Sequence, residues 1–315
     1  MFDEQLDRAR TLKAYVDGPP SRRRWMRRER LLDAVARHVA PMVAVDRDGI
    51  RYLIDTSDRS ELTMALWMGG EYEEPMMRKA LACIAAATGR EDALRGRTFV
   101  DVGANIGTAT LVAARRFGAA AGLALEPHPA NLRMLKMNLA ANDLDEQVAV
   151  VAAAVTAAAT TLELEQSPEN IGDHRVRVGP PTPGDQGELT REVLTVPGVT
   201  LDAALAARGI DPAGVGLVWI DVQGHEAQVL AGMPGLAASG APIVMEYWPY
   251  GLGRAGGLDA VHAFVSAPGR AVWELPEGDA PARKVTRDEL PAMAARLGDA
   301  AQFSNLLVLP DSAAA

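Results

Sequence analysis

One cysteine, Cys83, is all that 315 residues contain, which excludes an intramolecular disulfide and any metal site built on several thiolates. Aromatic residues make up only 5% of the chain, so any local concentration of them stands out. No apolar run reaches the roughly 18 residues that a membrane-spanning helix needs. The opening stretch, MFDEQLDRAR, is too charged for the apolar segment of a secretory leader. Positive charge is also in deficit. With 32 Lys and Arg against 41 Asp and Glu, the net charge is -9, which argues against electrostatic attraction to nucleic acid. What is present is an ordinary globular inventory, 48% hydrophobic and long enough to bury a full core. The expectation is a soluble cytoplasmic enzyme that uses neither nucleic acid nor membrane as a partner.

Residues 1–40 read as helical. Pro19 and Pro20 punctuate, Ser21 can cap, and Trp25, Leu32, Val35 and Val39 fall near one face, with arginines on the other. That amphipathic face could pair across a homodimer. Residues 41–60 alternate weakly around Asp48-Gly49, a hairpin signal. Helical stretches follow at 60–68 and 75–88, so residues 1–90 read as an α+β cap on a main domain over 91–315. From residue 97 the rhythm is strand, helix, strand. The expected strands are 98–102, 122–126, 147–155, 217–222, 242–247, 270–275 and 305–310. Seven strands with helices between them predict an α/β fold: a mostly parallel, doubly wound sheet with helices on both faces. The last strand, after a long connection, can enter antiparallel. Residues 166–190, rich in Pro, Gly and polar side chains, are too long for a routine connection and are expected to form a flap on the substrate side.

The chemistry starts at residues 98–107, TFVDVGANIG. A β-rich run ends on an acid, two glycines follow four apart, and a helical stretch begins. A second apolar run ends on Glu126. In a doubly wound sheet both acids stand at the carboxyl edge where ligands bind. Gly103 and Gly107 allow a sharp turn and a close ligand approach. A dinucleotide fingerprint needs a middle glycine where this chain has Asn105, whose side chain obstructs a pyrophosphate. S-adenosylmethionine has no pyrophosphate. Asp101 suits its ammonium, and Glu126 suits two ribose hydroxyls.

Three segments in order, VDVGANIG, LEPHPANLRMLKMNL and WIDVQGHEAQVLAGM, resemble the FkbM-type family of S-adenosylmethionine-dependent methyltransferases. The resemblance covers roughly residues 97–250. Weaker echoes are Gly70-Glu71-Tyr72-Glu73 and Val199-Thr200-Leu201-Asp202. It implies a class I, Rossmann-like methyltransferase fold and methylation of a hydroxyl on a small-molecule or glycan-type acceptor. By that similarity Asp101, Gly103, Ala104, Asn105, Gly107 and Glu126 are cofactor residues, with Pro127 and Asn131 as neighbours. Where the family often has Asp-Val-Glu-Gly, this chain has Asp221-Val222-Gln223-Gly224, so position 223 can hydrogen-bond but cannot take a proton.

The strand at 217–222 should end facing the transferred methyl, bringing Asp221, Gln223, His225 and Glu226 to the mouth of the site. Asp221 is the first candidate for a catalytic role. His225 is the candidate general base, because a free imidazole titrates near pH 6.5. Glu226 either orients His225 or caps the following helix. Asp221, His225, Glu226 and Glu246 are residue types that can hold a divalent cation, but the same types arise at caps and strand ends, and no metal is expected. Tyr247-Trp248-Pro249-Tyr250 concentrates aromatics that either stack on a ring substrate or fill core. His128 is read as a helix-entry residue. Two rival functions stay open: a nicotinamide-dependent oxidoreductase on the same site, and a methyltransferase-like module that binds without turnover.

Overall fold

The computed structural model describes residues 30–32, 34, 39–168, 170–179, 187–298 and 302–311. Most of the helix expected over residues 1–40, including Trp25, Val35 and nearly all of its arginine face, lies outside the described residues. Of its apolar stripe, Leu32 is buried and Val39 is exposed.

Next comes a hairpin, β1 (Met42–Arg47) with β2 (Ile50–Asp55), turning at Asp48-Gly49 as expected. Helix α1 (Glu61–Met68) is capped by the Ser60 hydroxyl, which accepts from the Thr63 N–H, and stops at left-handed Gly69. Helix α2 (Glu74–Thr88) has Pro75 in its first turn and stops at left-handed Gly89. Then come β3 (Thr98–Val102), α3 (Thr108–Phe117), β4 (Ala121–Leu125), α4 (Pro129–Ala141) and β5 (Val148–Val151). A small second sheet follows from β6 (Ala154–Val155), β7 (Thr160–Glu165), β8 (Arg175–Val176) and β9 (Val193–Val199). Helix α5 (Leu201–Ala207) leads to β10 (Val215–Ile220), α6 (Glu226–Ala231), α7 (Pro234–Ala238) and β11 (Ile243–Tyr247). The chain ends with α8 (Pro249–Arg254), α9 (Leu258–Val265), β12 (Arg270–Leu275), β13 (Arg283–Val285), α10 (Leu290–Arg296) and β14 (Ser304–Pro310).

The main sheet has eight strands in the order β13-β12-β14-β11-β10-β3-β4-β5. It contains six of the seven expected strands whole or nearly so, the first half of the other, and the short edge strand β13. The pairs β11-β10, β10-β3, β3-β4 and β4-β5 are parallel, while β14 enters antiparallel between β11 and β12. The run expected as one strand over 147–155 is instead broken. Its first half joins the main sheet as β5, and its second half pairs with β9 as β6. A continuous Val/Ala run carries no local mark of where it changes sheets.

Period-two alternation divides the core between the sheet's faces. Along β10, Leu217 and Trp219 face one apolar cluster and Val218 and Ile220 the other. The first cluster takes Met77, Ile84, Leu111, Leu135 and Leu139 from α2, α3 and α4, together with Tyr52 and Ile54 of the hairpin. The N-terminal elements described here therefore share the main sheet's core. The second cluster takes Leu205, Val229, Val261 and Met293 from helices on the opposite face. Among the described residues, no helix is long and apolar enough to cross a membrane.

Strand β3 lies between β4 and β10, so the connections on its two sides diverge at its carboxyl end. That divergence opens a crevice where ligands bind in folds of this kind.

Candidate active site

The crevice is a cavity of about 590 Å³ walled by the ends of β3, β4, β10 and β11, by residues 71–76 and by residues 170–176. That size is in the usual range for small-molecule sites.

Asp101 is 2% exposed and reaches the cavity from β3. The Thr110 hydroxyl on α3 donates to its Oδ2. Burial raises the carboxyl to about 7, with Asp221 adding to the effect. Glu126, just past β4, is 4% exposed. Its Oε2 accepts from the Asn105 N–H at 2.8 Å and its Oε1 from the His128 N–H at 2.8 Å. Two rigid backbone donors thus fix the carboxylate plane, and each oxygen keeps a further acceptor direction. Burial raises Glu126 to about 8.

Gly103 and Gly107 do make the sharp turn, at φ +88° and +92°. The space that lacks a Cβ is not left for a ligand, however, and this corrects the sequence reading. A Cβ on Gly103 would lie 1.8 Å from the Asp221 carbonyl oxygen, and one on Gly107 would lie 2.7 Å from Leu135 Cδ1. Gly107 is off the cavity wall altogether, whereas Gly103, Ala104 and Asn105 line it. Asn105 is itself left-handed, at φ +51°, and its buried Oδ1 has no partner. Pro127 and Asn131 also line the cavity, and Asn131 Nδ2 donates to the Ile171 carbonyl at 2.8 Å. His128 is the N-cap residue of α4, as read from the sequence.

That Asn131 bond helps hold residues 170–176 against the cavity. The His174 ring lies 3.9 Å from the His128 ring, and His128 Nε2 is 3.1 Å from Gln166 Oε1. Arg175 pairs with Asp173, which also binds Arg191. The Arg175 guanidinium sits 4.5 Å above the Trp248 ring. The first part of the expected flap is therefore cavity wall, while residues 180–186 lie outside the described residues.

On the opposite side, Asp221 follows β10 and Glu246 lies near the end of β11, both lining the cavity. Gln223, at φ +55°, spans them. Its Nε2 donates to Asp221 Oδ1 at 2.7 Å and to Glu246 Oε2 at 3.0 Å. A neutral amide here gives each carboxylate a proton to share, where a third carboxylate would only repel. Burial raises both acids.

His225 lines the cavity at 5% exposure, with Nε2 3.3 Å from Thr156 Oγ1 and Nδ1 unpartnered. Burial pulls it down to about 4, so it is neutral but a weak proton acceptor, unlike the free imidazole assumed from sequence. Glu226 is fully buried and off the cavity wall. Its Oε1 accepts from the Val222 and Gly224 N–H groups, so it fastens the loop leading into α6, and neither of its two suggested roles is the bond observed.

The aromatic run divides. Tyr247 is core, with its hydroxyl 2.6 Å from His262 Nε2, while Trp248 forms wall. Among the described residues, no three His, Cys, Asp or Glu side chains are grouped closely enough to hold a metal ion.

Sequence reasoning missed Glu73, Asp173, Arg175 and Trp219 as wall residues. Asp173 and Arg175 lie in the expected 166–190 flap and Trp219 opens the WIDVQGHEAQVLAGM segment, while Glu73 ends the Gly70-Glu71-Tyr72-Glu73 echo. Glu73 holds φ +66° and ψ −38° immediately before α2, and burial raises it to about 8. Such an outlier at a cavity wall costs backbone energy that the surrounding structure must sustain.

Residues 101–252 match the family profile described as the methyltransferase FkbM domain. No functionally curated protein matches the chain. Among solved structures, a methyltransferase FkbM from Methylobacillus flagellatus is similar at 14% identity and TM-score 0.41, covering 80% of this chain and 56% of that one. The chain thus spans little more than half the length of that relative. An O-methyltransferase from Bacillus cereus, solved in complex with SAH, is similar at 9% identity and TM-score 0.42, covering 92% of both chains.

Proposed function

We propose that this chain, whose residues 101–252 match the FkbM methyltransferase domain, is an S-adenosylmethionine-dependent methyltransferase that methylates a hydroxyl oxygen of a sugar or small natural product. The observation that carries this reading is the division of one cavity: Asp101 and Glu126 on adjacent strand ends, facing Asp221 and Glu246 on the next two.

The residues present fit the cofactor. Glu126, held by two backbone donors, retains the acceptor directions that a ribose diol needs. Asp101 is a desolvated carboxyl that gains from a neighbouring ammonium. The orphaned Asn105 Oδ1 is a buried acceptor awaiting a donor. When bound, the cofactor supplies an electrophilic methyl group on a sulfonium.

The chain's own residues then align the acceptor and remove its proton. Asp221 takes that proton. Burial raises its proton affinity, which makes it a stronger base than an ordinary aspartate once ionised. Gln223 holds Asp221 in place through the 2.7 Å bond. His225, kept neutral by burial, offers a hydrogen bond to the acceptor rather than acting as its base.

The test is calorimetric titration with S-adenosylmethionine and S-adenosylhomocysteine, followed by mass spectrometry of products from hydroxylated acceptors. Asp101→Ala and Glu126→Ala should each weaken cofactor binding at least about tenfold, since each leaves buried polar partners unpaired. Asp221→Asn should bind cofactor and lose turnover. Failure of the intact protein to bind either compound, or products methylated on nitrogen alone, would refute the proposal.

A further inference from the structure

After Asp101 and Glu126 are assigned to the cofactor, the cavity still holds a surplus of carboxyl groups, which a bound cation would draw into their ionised form. Glu73, Asp221 and Glu246 line it from the α2 turn and from the ends of β10 and β11. Each is partly exposed into the cavity, and among the described residues no cation pairs with any of them. Glu61 and Glu277 line the same region, Glu277 with Lys79 nearby. The arginine on the described wall, Arg175, is committed to Asp173 and to the face of Trp248.

Two further observations indicate what partner these carboxyls take. His225 lines the same cavity at 5% exposure with Nδ1 unpartnered, so a buried polar atom of the wall lacks the group that would satisfy it. Among the described residues, no three of the acids converge as a metal site built by the protein alone requires. A compact divalent ion needs several oxygens on one point. An organic ammonium is satisfied by one or two nearby carboxylates, its remaining protons going to other acceptors, and so does not need several oxygens on one point. The walls beside the acids are aromatic, Trp248 and Trp219, and Trp248 already carries the guanidinium of Arg175 on its face.

We propose that the methyl acceptor is a hydroxylated amine of the aminosugar or aminocyclitol class, with its protonated nitrogen held between Glu73 and Glu246 and its reacting hydroxyl at Asp221. This rests on the methyltransferase reading above and narrows its acceptor. The amine is the handle, and methyl transfer occurs at oxygen: the hydroxyl oxygen gains the methyl, its proton passes to Asp221, and the neutral thioether leaves.

The experiment uses the full chain saturated with S-adenosylhomocysteine, which lacks the sulfonium charge. Streptamine is titrated against scyllo-inositol, its all-hydroxyl counterpart, and glucosamine against glucose. Each amine should bind at least about tenfold tighter than its neutral partner, and Glu73→Gln or Glu246→Gln should erase most of that preference. Equal binding of charged and neutral probes, or no binding of any of the four, overturns the proposal. So does a result in which the two amide variants weaken S-adenosylmethionine relative to S-adenosylhomocysteine but leave the amine preference intact, because the acids then serve the sulfonium. Failure of S-adenosylhomocysteine itself to bind is seen in the first titration and strikes the cofactor reading instead.

Discussion

At Gly103 two requirements fall on one residue: a left-handed backbone at φ +88° and room for the Asp221 carbonyl oxygen. Gly103→Ala meets neither. The left-handed conformation costs about 1–2 kcal/mol for a residue with a Cβ, and the contact forces the β3 and β10 ends apart, adding about 1–3 kcal/mol of overpacking. The variant should show a lower urea midpoint and weaker S-adenosylhomocysteine binding together, since the strand ends it separates carry Asp101 and Asp221. A variant with unchanged stability would show that the turn is not packed as described. Gln223 teaches a related lesson. From sequence it is a lost carboxylate, but in the fold its amide bonds to two acids from neighbouring strands. A pattern can report which atom is missing without reporting which neighbours the replacement serves.

The hairpin is held to the main sheet's layers by two asparagines, Asn138 of α4 and Asn142, the residue that caps its carboxyl end. Asn138 Oδ1 accepts from the Leu53 N–H at 2.6 Å, and its Nδ2 donates to the Ile106 carbonyl at 2.8 Å. Asn142, one turn later, accepts from the Arg51 N–H at 2.9 Å and donates to the Arg51 carbonyl at 2.6 Å. One helical turn of four residues rises roughly 6 Å, close to the roughly 6.8 Å between alternate strand residues. The two amides therefore act as a substitute strand on the open edge of β2. Asn138→Ala leaves the Leu53 N–H and the Ile106 carbonyl without partners. It should destabilise the protein by about 1–3 kcal/mol for each group orphaned, read as a lower denaturation midpoint at unchanged slope. A changed slope would instead mean that the hairpin detaches as a separate unit. At this scale the reading of α4 from its Leu132, Leu135 and Leu139 spacing was sound, yet nothing in that spacing marked Asn138 and Asn142 as its link to the hairpin. Likewise, the break between β5 and β6 was invisible because both halves are equally apolar.

Across the molecule, the buried acids make stability and ligand binding depend on pH in opposite directions. Glu73 and Glu126 are raised to about 8, and Asp101 and Glu226 to about 7. The folded protein therefore holds more protons than the unfolded chain, and stability falls as pH rises from the ordinary carboxyl range towards 8. His174 and His225, lowered to about 3 and about 4, act in the opposite sense below their ordinary value of 6.5. Between pH 6.5 and about 8 the acids act without that opposition, and the free protein should lose thermal stability across this window. A bound cation draws the same carboxyls down and expels their protons. Calorimetry near pH 7.5 in two buffers of different ionisation enthalpy should thus register net proton release on S-adenosylmethionine binding; uptake would contradict the placement of the cofactor's cationic groups.

Taken alone, the chain determined its layered α/β sheet, the carboxylates at four strand ends and the turn joining β3 to α3. These are consequences of local periodicity and glycine chemistry, which act over a few residues. Only the tertiary structure decided that Glu73 arrives from before α2, that Asp173 and Arg175 close one wall, and that Glu226 turns away from the cavity while Trp248 faces it. Those placements depend on contacts between segments far apart in the chain. The loss of solvent that shifts the acids and His225 exists only once both sides of the cavity are assembled.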